Sequence, residues 1–468
     1  MSNAATGKAA ARIESLLDAN SFVEIGKAIT ARSTDFNMNQ NKAASDGVIT
    51  GYGVIDGRLV YVYSQDSAVL GGTIGEMHAK KIAGLYDMAM KTGAPIIGLI
   101  DCAGVRLQEG TDALEGFGLI FSKAAEASGM IPQVTATFGT CGGGMAVLTG
   151  LTDFNFIESK QGHVFVNSPN ALAGNYESKC DTSSAEFQSR ETGLVDGIGT
   201  EDEIIDSIRQ LVSLLPSNCE ADDSYIECED DLNRSCDGID GNIEDASVAL
   251  SILADNGEFF EVKKNYGIDM VCGLMRLNGS VVGAVANRSV VFDEEGNKKE
   301  ELDGTMSGRG ARKAAAFVNF CDAFGIPVLT LTNVGGFHAT LCSEKNMASA
   351  VSDLVYAFAQ ATVPKVNVIT GKAYGTSYIA MNSKALGADM TFAWDSAEVG
   401  MLDASVAAKI MYPGADAKEL GEKAAEYRKL QSGITSAAQR GYVDTVIAPE
   451  DTRKYVIGAF EMLFTKAR

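Results

Sequence analysis

A-P-I-I-G-L-I-D-C-A-G, residues 94–104, reads as a proline, a buried strand and a small-residue turn, and the same chain holds three near copies of it. I-P-Q-V-T-A-T-F-G-T-C-G-G-G runs from Ile131 to Gly144, I-P-V-L-T-L-T-N-V-G-G from Ile326 to Gly336, and V-P-K-V-N-V-I-T-G-K-A-Y-G-T from Val363 to Thr376. Pro95 and Pro132 are 37 residues apart, as are Pro327 and Pro364, and the second pair follows the first at an offset of 232. That offset holds without a gap from Lys81/Lys313 to Val147/Ile379, so the two halves are copies of one unit.

Each cassette predicts a strand of mostly apolar residues, a turn and then a helical stretch. Upstream, A-A-R-I-E-S-L-L-D predicts an opening helix and F-V-E-I-G a short strand. V-I-T-G-Y-G-V-I-D-G-R-L-V-Y-V-Y-S-Q-D then predicts a hairpin turned at Asp56-Gly57. The second half replays this order. D-N-G-E-F-F-E-V (Asp255–Val262) answers Asp18–Ile25, and M-V-C-G-L-M-R-L-N-G-S-V-V-G-A-V-A-N turns at Asn278-Gly279. The helices K-K-I-A-G-L-Y-D-M-A-M-K and R-K-A-A-A-F-V-N-F-C-D-A-F precede the cassettes, and G-x-V-D closes each half at Gly193–Asp196 and Gly441–Asp444. Strands alternating with helices predict α/β layers with crossover connections. Ser217–Ala246 is rich in Asp, Glu, Asn and Ser and predicts a solvated linker, which sets the domains at 1–245 and 246–468.

Glycines at a strand-to-helix turn let the main chain approach a ligand, and the unpaired N–H groups there favour negative charge. Two such turns per half predict one oxyanion site per half, enough to stabilise two enolate-like species.

The net charge of −22 and the lack of a basic stripe argue against nucleic acid. No run approaches the roughly eighteen apolar residues of a membrane span, and the start lacks a basic segment followed by an apolar one, so a cytoplasmic protein that does not itself span the membrane is expected. Nine cysteines without C-x-x-C spacing fit a reducing compartment. Cys219, Cys228 and Cys236 fall in the acidic stretch, where free thiols rather than a metal site are expected; no metal is expected elsewhere in the chain.

Five runs resemble the carboxyltransferase subunits of biotin-dependent acyl-CoA carboxylases and decarboxylases: Gly71–Ile82, Asp101–Gly110, Gly139–Val147, Cys321–Pro327 and Lys372–Lys384. The likeness covers about residues 12 to 465. It implies two tandem crotonase-like (spiral ββα) domains, an acyl-CoA side in the first half and a biotin side in the second. It also implies a homo-oligomer, a dimer or trimer of dimers, with the active site between the first half of one subunit and the second half of another. By this likeness the thioester oxygen sits near Ala103-Gly104 and Gly143-Gly144, and the biotin carbonyl near Gly335-Gly336 and Thr376-Ser377. Gly71, Gly72, Arg106, Tyr378 and Ile379 are implied to contact substrate. The likeness further implies that biotin rides on a separate biotin carboxyl carrier protein, with biotin carboxylase or membrane decarboxylase subunits as further partners. Four departures stand out: N-V-G-G-F (Asn333–Phe337) replaces the usual D-V-P-G-F, K-N-M-A-S-A-V-S-D (Lys345–Asp353) replaces a glycine-rich stretch, Thr376-Ser377 replaces a smaller pair, and Ile379 replaces an aspartate common in propionyl-CoA-preferring members.

Several residues carry two readings. Arg106 contacts a CoA phosphate or buttresses the turn through a carboxylate. His78 invites an acid–base role, but on a helix facing the site loop it reads as a hydrogen-bonded structural histidine. Ala89–Lys91 imitates the biotin attachment motif, yet Lys91 ends an amphipathic helix, where a lysine suits the dipole. The acidic run Glu220–Asp231 is read as solvated linker rather than a dock for a basic partner. A crotonase-type hydratase or isomerase needs glutamates after the turns, and the chain has M-A-V-L-T after Gly144 and Y-I-A-M-N after Ser377. A non-catalytic assembly subunit is the remaining alternative.

Overall fold

The computed structural model describes residues 7–32, 36, 43, 45–221, 223–293 and 295–466. The strands of the first unit are β1 (Val23–Ile25), β2 (Val48–Ile55), β3 (Arg58–Gln65), β4 (Ile96–Cys102), β5 (Gln133–Gly142), β6 (Phe154–Glu158), β7 (His163–Phe165) and β8 (Gly197–Gly199). Those of the second are β9 (Phe259–Val262), β10 (Met270–Leu277), β11 (Ser280–Asn287), β12 (Val290–Phe292), β13 (Lys298–Glu301), β14 (Val328–Val334), β15 (Lys365–Tyr374), β16 (Met390–Trp394), β17 (Glu398–Gly400) and β18 (Thr445–Ile447).

The two sheets have one topology. The first runs β1-β2-β3-β4-β5-β6-β8 with β7 beside β5, and the second β9-β10-β11-β14-β15-β16-β18 with β17 beside β15. The first two pairings in each are antiparallel and the rest parallel. Both two-residue hairpin turns take left-handed backbone, Asp56 and Gly57 at φ 50° and 79°, Asn278 and Gly279 at φ 53° and 81°, the geometry that matches strand twist. A carboxylate holds each turn. Asp18 accepts from the Asp56 and Gly57 amides at 3.1 and 3.0 Å, and Asp255 accepts from Asn278 and Gly279 at 3.0 and 2.7 Å.

Helices cover the parallel strands because each crossover must return to the strand's start. In the first unit Ile82, Leu85 and Tyr86 of helix Glu76–Thr92 and Phe117 and Ile120 of helix Gly110–Ala127 pack in one core with Ile96 and Ile100 of β4. In the second, Val456 and Ile457 of helix Thr452–Leu463 join Leu329, Leu331, Val366, Val368 and Trp394. A buried lysine marks the same place in each repeat. Lys81 donates to the Val48 carbonyl, and Lys313 to the carbonyls of Met270, Lys263 and Tyr266 at 2.9, 2.9 and 3.1 Å.

The compact units are Met1–Ser224 and Tyr225–Arg468, so the acidic stretch divides, 217–224 going with the first unit and 225–245 with the second, where the composition suggested a linker closing the first. Ile226 donates to the Gly279 carbonyl at 3.2 Å and Cys236 to that of Glu450 at 2.9 Å. Arg453, fully buried, bonds Asp255 at 2.6 Å and lies 3.6 Å from Asp230. The segment is anchored by a cation more than two hundred residues downstream, which local composition cannot reveal.

Candidate active site

The strand pairs β4–β5 and β14–β15 carry the four cassette turns, and both pairs break register at the same place. Pairing jumps from Ile100↔Thr137 to Cys102↔Cys141, and in the second unit from Thr332↔Ile369 to Val334↔Ala373. All four residues of the second set lie 232 beyond those of the first. Past the break Gly143 and Gly375 take φ 61° and 60°, left-handed values that only glycine adopts without strain. Each leads into a six-residue helix, Gly144–Thr149 and Gly375–Ala380.

Not every amide of these turns is free. Ala103 donates to the Gly71 carbonyl at 3.2 Å, Gly143 to Phe165 at 2.9 Å and Gly335 to Gly304 at 2.9 Å. Gly104 meets only the Cys102 sulfur, at 3.4 Å. Burial pushes that thiol up to about 11, so it stays neutral and accepts weakly. Among the described residues, the amides of Gly144, Gly336, Thr376 and Ser377 have no hydrogen-bond partner. The repeat equates Gly104 with Gly336 and Gly144 with Thr376, while Ser377 answers Met145. Each unit therefore offers a matched pair of amides with no oxygen acceptor among the described residues, Gly104, which has only the weak sulfur contact, with Gly144, and Gly336 with Thr376.

Arg106 follows the first turn and is 1 % exposed. Its Nε meets Thr73 Oγ1 at 3.4 Å; one terminal nitrogen donates to Asp46 and Glu109 carboxylates at 2.6 and 2.8 Å. The other donates to the carbonyls of Asp46 and Thr73 at 3.1 and 2.7 Å. All five guanidinium donors are committed, so the structure makes Arg106 a buttress of the turn and leaves no N–H for a CoA phosphate. Burial holds the Asp46 carboxyl above its ordinary value, and Arg106 offsets only part of that rise.

His78 lies fully buried in the same layer, its Nδ1 3.0 Å from the Asp46 carbonyl and its Nε2 3.2 Å from Gln65 Nε2. Nδ1 therefore donates and Nε2 accepts, the neutral tautomer. Burial, then the Arg106 charge, lowers its pKa from 6.5 to about 3. In the unfolded chain it takes a proton near its ordinary value of about 6.5. Stability is thus fully present above that value and falls as pH drops from about 6.5 towards 3. A His78→Gln variant is expected to flatten this part of the pH–stability curve measured by urea unfolding; an unchanged slope would show that His78 is not the linked group.

Gly71 and Gly72 form a turn at φ 67° and 63° against the first cassette, and a Cβ on Gly72 would stand 2.1 Å from the Asp101 carbonyl. In the second unit Tyr378 is buried, its hydroxyl pushed up to about 12 by that burial, whereas Ile379 is 37 % exposed on the short helix after Gly375. Asn333, the departure from aspartate, keeps an acceptor where the first repeat has Asp101: each side-chain oxygen accepts the amide across the register break. Lys91 closes helix Glu76–Thr92 beside Gly93 at φ 64°, as a helix end requires. Cys236 is buried, and no cluster of three metal-ligating side chains occurs among the described residues. No described helix is long and apolar enough to cross a membrane.

Residues 3–468 match the carboxyl transferase domain family. The propionyl-CoA carboxylase beta chain of Roseobacter denitrificans is 38% identical over 97% of this chain and 90% of its own length. The methylmalonyl-CoA decarboxylase subunit alpha of Propionigenium modestum is 37% identical over 98% of this chain and 91% of its own. The crystal structure of transcarboxylase 12S, a hexamer with hydrolysed methylmalonyl-coenzyme A bound, matches at a TM-score of 0.91 and 34% identity, covering 98% of this chain and 90% of that one. With that likeness, the two sheets of one topology are tandem crotonase-like α/β domains.

Proposed function

The chain belongs to the carboxyl transferase family, and on that footing we propose that it moves a carboxyl group between N1 of carboxybiotin and the α-carbon of a short acyl-CoA, propionyl-/methylmalonyl-CoA or acetyl-/malonyl-CoA. It is a biotin-dependent acyl-CoA carboxyltransferase in class. The observation that supports the site is the matched pair of amides without an oxygen acceptor at one 232-residue offset. Gly104 and Gly144 serve the thioester oxygen, which gains negative charge when the α-carbon becomes nucleophilic. Gly336 and Thr376 serve the ureido oxygen, which gains charge when N1 gives up its carboxyl group. Preorganised amides suit both tasks, each donor contributing about 3 kcal/mol where water is excluded.

Bound carboxybiotin supplies the carboxyl group and, once relieved of it, the nitrogen that takes the α proton. The chain's own residues therefore need only hold two oxygens, which fits donors that are main-chain amides at Gly104, Gly144, Gly336 and Thr376. The carrier is a separate biotinylated chain, and the partner subunits, biotin carboxylase or membrane decarboxylase subunits, set the direction. The working form is a homo-oligomer, and the compartment the cytoplasm.

The test is decarboxylation of malonyl-CoA and methylmalonyl-CoA by the purified chain with free biotin or biocytin as acceptor. Biotin-dependent release of CO2 is expected, with the ratio of the two rates ranking the acyl groups. Equal release with and without biotin, from folded protein, would exclude carboxyl transfer.

A further inference from the structure

Resting on that reading of the amide pairs, we infer that Asp101 and Asn333 are positioning residues that lock the two turns of each oxyanion site against one another. At the register break one amide of the longer strand in each unit bonds a side chain of the facing strand. Asp101 Oδ1 accepts the Thr140 amide at 3.3 Å, and Asn333 Oδ1 accepts the Lys372 amide at 3.0 Å. Both pinning residues sit on the strand that leads to one turn, and both amides on the strand that leads to the other. Each pinning residue is itself held from behind: the Asp101 amide donates to Gln65 Oε1 at 3.3 Å and the Asn333 amide to Asn287 Oδ1 at 3.0 Å. The approach is close enough to dictate the facing residue. A Cβ on Gly139 would stand 2.3 Å from Asp101 Oδ1, and one on Gly371 2.5 Å from Asn333 Oδ1.

The device is preserved while its charge is not. Asp101 has Ser67 Oγ at 2.8 Å and the Arg12 guanidinium at 3.7 Å to balance a carboxylate, whereas Asn333 is neutral. What the two copies share is one acceptor oxygen at one distance from the turn, which is what positioning requires and what electrostatic catalysis does not. Losing that oxygen frees the facing strand to shift, and a misplacement of about 1 Å in a preorganised site costs up to about a hundredfold in rate.

The experiment compares Asp101→Ala, Asn333→Ala and the acceptor-keeping swaps Asp101→Asn and Asn333→Asp in the full chain, by biotin-dependent decarboxylation of methylmalonyl-CoA. Both alanine variants are expected to lose about ten- to a hundredfold in kcat, with KM for the thioester within about threefold of the parent. Both swaps are expected to recover kcat to within about fivefold of the parent. Folded alanine variants with parental kcat overturn the inference. Should the alanine variants not fold, the swaps decide: a soluble swap that loses as much as a hundredfold overturns it, since the acceptor is still present. A parent enzyme without biotin-dependent turnover fails the functional reading instead, and so the two failures are told apart by the parent alone.

Discussion

Thr376→Pro is expected to lower kcat for carboxyl transfer about 10²–10³-fold while the thermal midpoint stays close to that of the parent. Thr376 is the second residue of the helix Gly375–Ala380, with an exposed side chain and an amide that has no partner among the described residues. Proline is tolerated in a first helical turn because its missing N–H has no intrahelical bond to lose and its φ already suits the helix. The preceding residue, restricted by a following proline, is here a glycine at φ 60°. The substitution therefore deletes one donor and little else. Steady-state kinetics should be read beside Thr376→Ala, which keeps the N–H. An equal loss in both variants would assign the effect to the side chain and end the role of the amide.

Arg106→Ala is expected to cost about 3–5 kcal/mol of stability, because it strands two carboxylates that the guanidinium neutralises. Asp46 and Glu109 are 0% and 4% exposed in their side chains, and Arg106 reaches both. The backbone carbonyl of Thr73 loses its arginine donor in the same step, and that of Asp46 is left with His78 Nδ1. Arg106→Lys should recover only part, since an ammonium cannot span a fork of this shape. Urea unfolding measures the loss. The rival role, a CoA phosphate contact, predicts the opposite pattern: an unchanged midpoint with a raised KM for acyl-CoA.

Local signals were enough for much of the architecture. D-G and N-G at the two hairpins force left-handed backbone, and Asp56-Gly57 and Asn278-Gly279 adopt it. The proline-led cassettes at Pro95, Pro132, Pro327 and Pro364 precede β4, β5, β14 and β15, because each places a short apolar run between a proline and a glycine turn. Long-range pairing was not legible. Which turn amides remain free depends on Gly71, Phe165 and Gly304, residues outside the cassettes. The acidic stretch reads as solvated until Arg453 is placed among Asp230, Asp231 and Asp255. The pairing of β12 with β13 has no signature in the sequence because the K-K-E-E of β13 is wholly exposed and shows no apolar alternation. Asp101 and Asn333 carried a signal that was available, an acceptor at the same offset on either side of the repeat, but its meaning depends on the register break.

On the proposed function, two amide pairs, equivalent by duplication, hold the two oxygens that gain charge. A crystal structure of the protein with an acyl-CoA and biocytin bound tests it most directly. The thioester oxygen is expected within about 3.1 Å of the Gly104 and Gly144 amides and the ureido oxygen at a like distance from those of Gly336 and Thr376. Either oxygen bound instead by side chains, or lying beyond hydrogen-bond reach of its pair, would contradict it.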